Sequence, residues 1–335
     1  MMKKYSFLIS LSLILFSCKR ENVAFEGPSL VDLNGKFGLL SPFTADKNSV
    51  DFSKNEEVHF FAEFTKLCDW EIIIRGKISG AQKTISGKSR NLNVPPTIWN
   101  GSTTIFPVFR TEPCVATLKI KDVADTFNVN IGINGVRKPI GLLISDFETG
   151  MNAKWTSFIQ SGANMDFRIK TDNNAVEGKS YLNMAGTVNW DWLIGLIDFN
   201  AIAYSTSPTF NLTSISDDVY FNCLIWGAGN NVNTSRVLFQ FKEDDNGNGV
   251  FDQASDDQFD KEIIVDWSGW KLVSFKYNSL QHLVNGVPAA NNGNNKHNSQ
   301  SINKISMLHL ANPSGGFASS KIDFIMFTEK TPLEL

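Results

Sequence analysis

Residues 236–277 have the sequence RVLFQFKEDDNGNGVFDQASDDQFDKEIIVDWSGWKLVSFKY, in which apolar segments flank a loop rich in Asp, Asn and Gly. In the first segment Val237, Phe239 and Phe241 alternate with residues of the opposite phase, the period of two that is typical of a half-buried strand. The Asn-Gly dipeptides at 246–247 and 248–249 favour a tight chain reversal. The stretch therefore predicts two strands joined by an elaborated hairpin.

The hairpin loop also has the spacing of a calcium-binding loop. Oxygen-bearing side chains occupy its positions one, three, five and nine, which are Asp244, Asn246, Asn248 and Asp252. Position twelve is Ser255 instead of the usual Glu, so the bidentate carboxylate has to come from Asp256 or Asp257. Strands rather than helices flank the loop, which excludes an EF-hand. Two interpretations stay open: a structural Ca²⁺ site, and an acidic hairpin that needs no ion.

The N-terminus has the features of an export signal. Two lysines precede an apolar run over residues 5–16 that is too short to span a bilayer. The run ends in LFSC (15–18), which resembles the lipobox of bacterial lipoproteins, where cleavage precedes a Cys that receives lipid. We expect a signal peptide over residues 1–17, lipidation of Cys18 and a polar tether over residues 18–28. The protein is then exported and anchored to the outer membrane, facing the periplasm or the cell surface.

Composition and cysteine usage agree with an exported protein. The net charge is -3, so the sequence indicates no basic surface for nucleic acid. Besides Cys18 there are three cysteines, and an oxidising compartment allows one pair. Cys68 and Cys114 both flank strand-like segments, and we predict a disulfide between them, with two unpaired core thiols as the alternative. Cys223 lies in an apolar phase and is expected to be a buried thiol.

The chain divides into two predicted β-domains after the tether. Short strand-like segments over residues 29–138, punctuated by Gly, Pro, Ser and Asn, predict an immunoglobulin-like β-sandwich. It carries no catalytic constellation, and we expect a spacer or a module that contacts other outer-membrane proteins. Eight strand-like segments over residues 139–335 predict a larger β-sandwich jelly roll. The predicted fold class is all-β.

The phase of two strands predicts a ligand-binding surface. In the segment 219–226 the apolar set of alternate residues must face the core, which leaves Tyr220, Asn222 and Trp226 on the other face. By the same argument Arg236 and Gln240 point outward from the next strand. If the two strands pair, they form one aromatic and polar surface, to which a neighbouring segment adds further aromatic side chains, Trp190 and Trp192. The alternative is that another segment or the first domain covers this face.

The second domain resembles a galactose-binding-like jelly roll over roughly its 195 residues. The similar segments are DFE (146–148), EGKSYLNMAG (177–186), GWKLVSFKY (269–277) and KIDFIMFT (321–328). This family contains many carbohydrate-binding modules, and with the lipobox the arrangement looks like surface glycan-binding lipoproteins of Bacteroidota. The resemblance implies a glycan ligand and a structural Ca²⁺ between the first and last strands, for which Glu148 and Asp323 hold matching positions. The alternative is that both residues cap solvent-facing strand ends and bind no ion.

A search for enzymatic motifs favours a binding protein. The sequence has no His-Glu-x-x-His, no Gly-x-Ser-x-Gly and no phosphate-binding Gly loop. A glycoside hydrolase of jelly-roll fold is the second hypothesis, because Asp146, Glu148, Asp191 and Asp198 offer candidate carboxylate pairs. A structural subunit of an outer-membrane assembly is the third. We therefore predict a non-catalytic protein that binds a polysaccharide or another glycan.

Overall fold

A computed structural model of the protein describes residues 35–93, 95–187, 192–229, 235–311 and 316–335. Within these ranges the structure contains β-strands and short 3-10 helices, and no α-helix. The all-β prediction is confirmed. The 3-10 helices are Phe52–Lys54, Ala201–Ala203, Ser216–Asp218, Tyr277–Ser279 and Ser299–Ser301. No helix of the described ranges is long and apolar enough to cross a membrane. The predicted signal peptide, Cys18 and the tether lie outside the described residues.

The first seven strands hydrogen-bond in one sheet that folds around its own core. They are β1 (Leu39–Ala45), β2 (Ser49–Asp51), β3 (Val58–Gly76), β4 (Gln82–Asn91), β5 (Thr97–Trp99), β6 (Pro113–Ile120) and β7 (Thr126–Gly135). The first part of the long β3 pairs with β1 and β5, and mainly its second part with β4 and β6. Phe60 and Ile72, from the two parts of β3, share one core with Trp99 and Leu118.

The predicted disulfide between Cys68 and Cys114 is wrong. Both cysteines are buried free thiols. Cys114 on β6 pairs with Gly76, which lies eight residues along β3 from Cys68, or roughly 26 Å at about 3.3 Å per residue. A disulfide needs Cα atoms about 4.4–6.8 Å apart. Desolvation by burial raises the pKa of Cys114 to about 12, as expected for an inert core thiol.

The remaining strands form a two-sheet sandwich and a small hairpin. They are β8 (Leu142–Ser145), β9 (Thr156–Ile159), β10 (Asn164–Thr171), β11 (Ser180–Thr187), β12 (Leu193–Asn200), β13 (Val219–Ala228), β14 (Ser235–Glu243), β15 (Gln258–Ile264), β16 (Ser268–Lys276), β17 (Leu283–Val284), β18 (Val287–Pro288), β19 (Ile302–Ala311) and β20 (Phe317–Glu329). One sheet has the order β10-β11-β20-β13-β16, with β8 beside β20, and the other has the order β15-β14-β19-β12-β9. The strands before and after the predicted domain boundary at 138/139 thus belong to separate sheets, and the boundary itself stays a prediction.

Alternating apolar residues build the core between the six-stranded and five-stranded sheets. Phe221 on β13, Phe239 on β14 and Phe327 on β20 are all fully buried there. The predicted hairpin is confirmed, because β14 and β15 pair antiparallel from Arg236 opposite Ile264 onward. Cys223 is buried in the same core, as expected.

Candidate functional site

The predicted ligand residues lie on two opposite outer surfaces of the sandwich. Tyr220, Asn222 and Trp226 belong to β13 in the six-stranded sheet, whereas Arg236 and Gln240 belong to β14 in the five-stranded sheet. The condition for a single surface, pairing of these two strands, is not met, because β13 pairs with β16 and β20 while β14 pairs with β15 and β19. The single surface that the sequence predicted is therefore not formed.

The outer surface of the six-stranded sheet is partly covered. Leu224 and Met326 lie in an apolar cluster there with Leu333 of the C-terminal segment, and Phe106, from the segment between β5 and β6, packs against it. The segment of Phe106 is also hydrogen-bonded to this sandwich, because the N–H of Val108 donates to the carbonyl of residue 176 at 3.0 Å. The alternative in which the first domain covers this face is correct for the middle of the sheet.

Asn222 lies beneath this cover and has no capacity left for a ligand. Its side-chain amide donates to the carbonyl of Met326 at 3.2 Å and to the hydroxyl of Thr328 at 3.0 Å. Its oxygen accepts from the hydroxyl of Ser274 and from the N–H of Leu333. Asn222 therefore fixes the C-terminal segment to the sheet instead of facing solvent.

Tyr220 and Trp226 stay half-buried on the same surface, each beside a lysine. The Nζ atom of Lys276 is 5.6 Å from the ring centre of Tyr220, and that of Lys321 is 4.4 Å from Trp226. Lys321 also lies 5.1 Å from the ring of Tyr181. Cations at these distances interact favourably with the faces of aromatic rings. The Trp226 end of the sheet is an aromatic and cationic patch.

A row of polar side chains crosses the outer surface of the five-stranded sheet. It consists of Thr156, Asp198, Ser306, Gln240 and Asp260, which are cross-strand neighbours on β9, β12, β19, β14 and β15. We call these five residues the polar row. Neighbouring strands are about 4.8 Å apart, so the polar row is roughly 19 Å long.

Two adjacent oxygens of the polar row have no hydrogen-bond partner among the described residues. They are the hydroxyl of Ser306, which is 1% exposed, and Oδ1 of Asp198. The other oxygen of Asp198 lies 3.4 Å from both Lys304 Nζ and Thr156 Oγ1. An unpaired buried polar atom costs about 1–3 kcal/mol, and most are paired in proteins. These two oxygens therefore leave unsatisfied hydrogen-bonding capacity just beneath the polar row.

An apolar row lies directly beside the polar row. It consists of Phe158, Leu196, Leu308 and Leu238, which are cross-strand neighbours on β9, β12, β19 and β14. The three leucines are half-buried, and Phe158 is 48% exposed. The surface thus presents a strip of hydrogen-bonding groups next to a strip that can pack against carbon.

Trp192 and Arg236 lie beyond the apolar row. The guanidinium of Arg236 is 5.6 Å from the ring centre of Trp192 and pairs with the carboxylate of Glu262. Trp192 is 46% exposed. Of the predicted ligand residues, the structure therefore brings together Trp192, Arg236 and Gln240, while Trp190 lies outside the described residues.

The polar row ends at Asp260, which is buried. Its Oδ2 accepts a hydrogen bond from the N–H of Leu283 at 2.7 Å and lies 3.2 Å from Nδ1 of His282. Desolvation raises the pKa of Asp260 although these contacts favour the ionised form. Because Leu283 begins β17, the β17–β18 hairpin closes this end of the row.

The residues of the calcium-loop spacing mainly organise their own turn. Asp244 accepts from the N–H groups of Asn248 at 3.0 Å and of Gly249 at 2.8 Å. Asn246 and Asn248 accept from N–H groups two residues ahead, and Asp252 does the same. Asp257 is held differently, by the N–H groups of residues 293 and 295. The five predicted ligands thus do not share one set of contacts, and the calcium prediction for this loop stays a prediction.

Glu148 and Asp323 hold two ends of the same segment. Oε1 of Glu148 accepts from the N–H groups of Lys179 and Ser180, and Oδ2 of Asp323 accepts from those of residues 176 and 177 at 3.3 Å. Burial raises the pKa of Asp323 to about 8, and that of Glu177 to about 7. The part of the chain that the structure describes places no third acidic, His or Cys ligand close enough to form a group with this pair. Its role in calcium binding stays a prediction.

Comparisons with known proteins give similarity to solved structures only. No protein-family model matches the chain, and no curated protein matches it. The chain is similar to the family 11 carbohydrate-binding module of the cellulosomal cellulase Lic26A-Cel5E of Clostridium thermocellum, with 18% identity and a TM-score of 0.39, over 57% of this chain and 95% of that one. It is also similar to the CBM22-1 xylan-binding domain of Paenibacillus barcinonensis Xyn10C, with 12% identity and a TM-score of 0.32, over 58% and 98% of the two chains.

A third similar structure spans more of the protein. It is described as one of the carbohydrate-binding modules from the β-sandwich superfamily, with 11% identity and a TM-score of 0.38, over 88% of this chain and 99% of that one. Structures to which the chain is similar thus include carbohydrate-binding modules. Identities and TM-scores at this level do not transfer a ligand to this protein.

Proposed function

We propose that the protein is a non-catalytic carbohydrate-binding protein that holds a glycan across the outer surface of the five-stranded sheet. The observation that carries the proposal is the polar row of five cross-strand neighbours lying directly beside the apolar row. Sugars present the same combination of chemistry. Their C–H faces pack on aromatic and aliphatic side chains, and their hydroxyls exchange hydrogen bonds with carboxylate, amide and hydroxyl groups.

The residues divide into two roles on this surface. Asp198 and Gln240 supply hydrogen-bonding groups at the centre of the sheet, with buried Ser306 on the strand between them, and Phe158 and Trp192 supply exposed aromatic faces at its margins. A surface roughly 19 Å long suits an oligosaccharide chain better than a single sugar. This arrangement differs from the predicted one, because Tyr220, Asn222 and Trp226 take no part in it.

The spacing of the carboxylates supports binding over glycoside hydrolysis. Asp198 and Asp260 are the two acids of the polar row, and three strand spacings separate them, roughly 14 Å. Hydrolases of the two stereochemical types need carboxyl groups about 5–5.5 Å or about 6.5–9.5 Å apart. Of the other candidate acids, Asp191 lies outside the described residues, and Asp146 and Glu148 are not part of this surface.

Variants on the two outer surfaces test the proposal. In affinity electrophoresis against a panel of polysaccharides, we expect the wild type to be retarded by at least one polymer, without release of reducing ends. Gln240→Ala and Phe158→Ala should each weaken retardation about tenfold, equivalent to about 1.4 kcal/mol of binding free energy. The matched control is Trp226→Ala on the opposite surface, which should bind as the wild type does.

Each alternative has its own outcome in this experiment. Loss of retardation in Trp226→Ala with normal binding by Gln240→Ala would move the site to the six-stranded sheet. Release of reducing ends would favour the hydrolase. No retardation by any polymer would favour a structural subunit that contacts other outer-membrane proteins through the predicted first domain.

The proposal includes export and attachment to the outer membrane through a lipid on Cys18. It is supported by the short apolar run that ends in LFSC at residues 15–18. We expect the wild type in the membrane fraction of cells and Cys18→Ala in the soluble fraction, because a stable anchor needs the acyl chains. The uncleaved precursor must be distinguished by its larger mass. Membrane association of a processed Cys18→Ala variant would contradict the prediction.

A further inference from the structure

The neck of the β14–β15 hairpin brings three carboxylates together. Glu243 ends β14, Asp245 follows it, and Asp257 directly precedes β15. One oxygen from each lies within 4.8 Å of the others. Two oxygens bound at about 2.3–2.6 Å to one Ca²⁺ are at most about 5 Å apart, so these oxygens fit around a single ion. We call the three residues the carboxylate cluster.

Glu243 supplies an independent indication of a missing ligand. It is 0% exposed, and its Oε1 accepts hydrogen bonds from the Tyr277 hydroxyl and from the N–H of Asn298. Its Oε2 is buried and has no partner in the described part of the protein. A buried carboxylate oxygen without a partner is costly, and two further carboxylates beside it raise that cost. A cation at this position would satisfy the oxygen and offset the repulsion.

The Asn-rich segment 291–298 closes the carboxylate cluster from the other side. Asp257 accepts from the N–H groups of Gly293 at 2.8 Å and of Asn295 at 2.5 Å. Asp245 accepts from the side-chain amides of Asn294 and Asn298. A β-carbon at position 293 would collide with the carboxylate oxygens of both aspartates, so the backbone approaches them as only glycine allows. The segment thereby places neutral amide groups around the carboxylates.

The donor set identifies the class of ion. Carboxylate oxygens are the ligands of hard cations, and an irregular set of them suits Ca²⁺ better than Mg²⁺, which requires a nearly ideal octahedron. His297 is the nearby nitrogen donor, but its ring stacks on Phe259 at 3.8 Å and its Nε2 is 3.0 Å from the carbonyl of Leu280. The site thus lacks the nitrogen and sulfur ligands that Zn²⁺ prefers.

We propose that Glu243, Asp245 and Asp257 bind one Ca²⁺ ion, which fastens the Asn-rich segment 291–298 to the neck of the β14–β15 hairpin. These three ligands differ from those that the spacing of the hairpin loop predicted, because the two sets have only Asp257 in common. The site is independent of glycan binding, since its residues lie at the end of β14 and not in the polar row.

The test is the melting temperature of the purified protein in chelator and in excess CaCl₂. An ion that binds only the folded state raises the melting temperature. We expect this rise in the wild type and its loss in Glu243→Gln, which keeps the shape of the side chain and should melt at the same temperature in chelator and in excess CaCl₂. Calorimetric titration should show Ca²⁺ affinity at least about tenfold weaker in Glu243→Gln, which is about 1.4 kcal/mol.

Two matched variants keep the proposal falsifiable. Asp252→Asn removes a carboxylate from the hairpin loop but leaves the carboxylate cluster unchanged. Glu148→Gln removes a carboxylate from the other predicted calcium site. In both variants, calcium should still raise the melting temperature. Superimposable wild-type melting curves in calcium and chelator would overturn the proposal. A rise that persists in Glu243→Gln and disappears in Asp252→Asn or Glu148→Gln would overturn it in favour of that other site.

Discussion

Phe221→Ala is expected to lower the free energy of unfolding of the two-sheet sandwich by about 3–5 kcal/mol, the range for removing a fully buried Phe. Phe221 is 0% exposed. Its ring centre lies 4.9 Å from that of Phe239, 5.0 Å from Phe241, 5.4 Å from Phe275 and 5.3 Å from Phe327. These rings come from both sheets, so the truncation leaves a cavity that neither sheet can fill by itself.

Denaturant unfolding followed by tryptophan fluorescence measures this loss. The matched control is Phe158→Ala, which removes the same side chain from a position that is 48% exposed and should change the free energy of unfolding by no more than about 0.5 kcal/mol. A Phe221→Ala variant as stable as Phe158→Ala would contradict the packing described for this core.

The period of two predicted which side chains face inward and outward along single strands. Val237, Phe239 and Phe241 are fully buried, while Arg236 and Gln240 are half-buried on the outer surface, as expected. This succeeded because the phase of a strand depends only on its own residues. The same local information predicted the reversal between β14 and β15 and the all-β class.

Strand partners could not be predicted in this way. The predicted surface required β13 and β14 to pair, yet β13 belongs to the six-stranded sheet and β14 to the five-stranded sheet. The same apolar set faces the shared core whichever sheet a strand joins, so phase carries no information about pairing. The candidate site changed for this reason: Gln240 has Ser306 and Asp260 as neighbours instead of Asn222.

Long-range contacts explain the other differences. Cys68 and Cys114 looked suitable for a disulfide by compartment and sequence position, but the register of β3 and β6 separates them. The contacts of the segment 291–298 with Asp245 and Asp257 could not be predicted either, because the residues that meet there are far apart in sequence. Asp198 and Ser306 show the outward phase on their strands, so that signal was present; their adjacency required the pairing of β12 with β19.

A second large effect is expected from pH, through His309. This residue lies on the inward face of β19, is 0% exposed, and its Nε2 is 2.9 Å from the hydroxyl of Ser235. Its Nδ1 has no hydrogen-bond partner within the described ranges. Desolvation by burial lowers the pKa of His309 to about 3, from an ordinary value of 6.5. The folded protein therefore keeps this ring neutral at pH values where the unfolded chain takes up a proton.

The direction of the pH effect follows from this difference. Because the pKa is lower in the folded state, His309 favours folding fully above about pH 6.5, and that contribution is lost as the pH falls toward 3. The loss is at most about 1.4 kcal/mol per pH unit, on the order of 5 kcal/mol over the whole interval. Buried Asp323, whose pKa is raised to about 8, and Glu177, whose pKa is raised to about 7, have the opposite slope, since protonation favours their folded forms.

The contribution of His309 is isolated by comparing the wild type with His309→Gln, which cannot titrate. Denaturant unfolding of both proteins at intervals between pH 7.5 and about pH 4 gives the difference in their free energies of unfolding at each pH. Asp323 and Glu177 are the same in both proteins and cancel in that difference. We expect the advantage of the wild type to shrink by about 3 kcal/mol between pH 6.5 and about pH 4. A difference that stays constant over this interval would show that the buried ring takes up its proton as readily as the unfolded chain does.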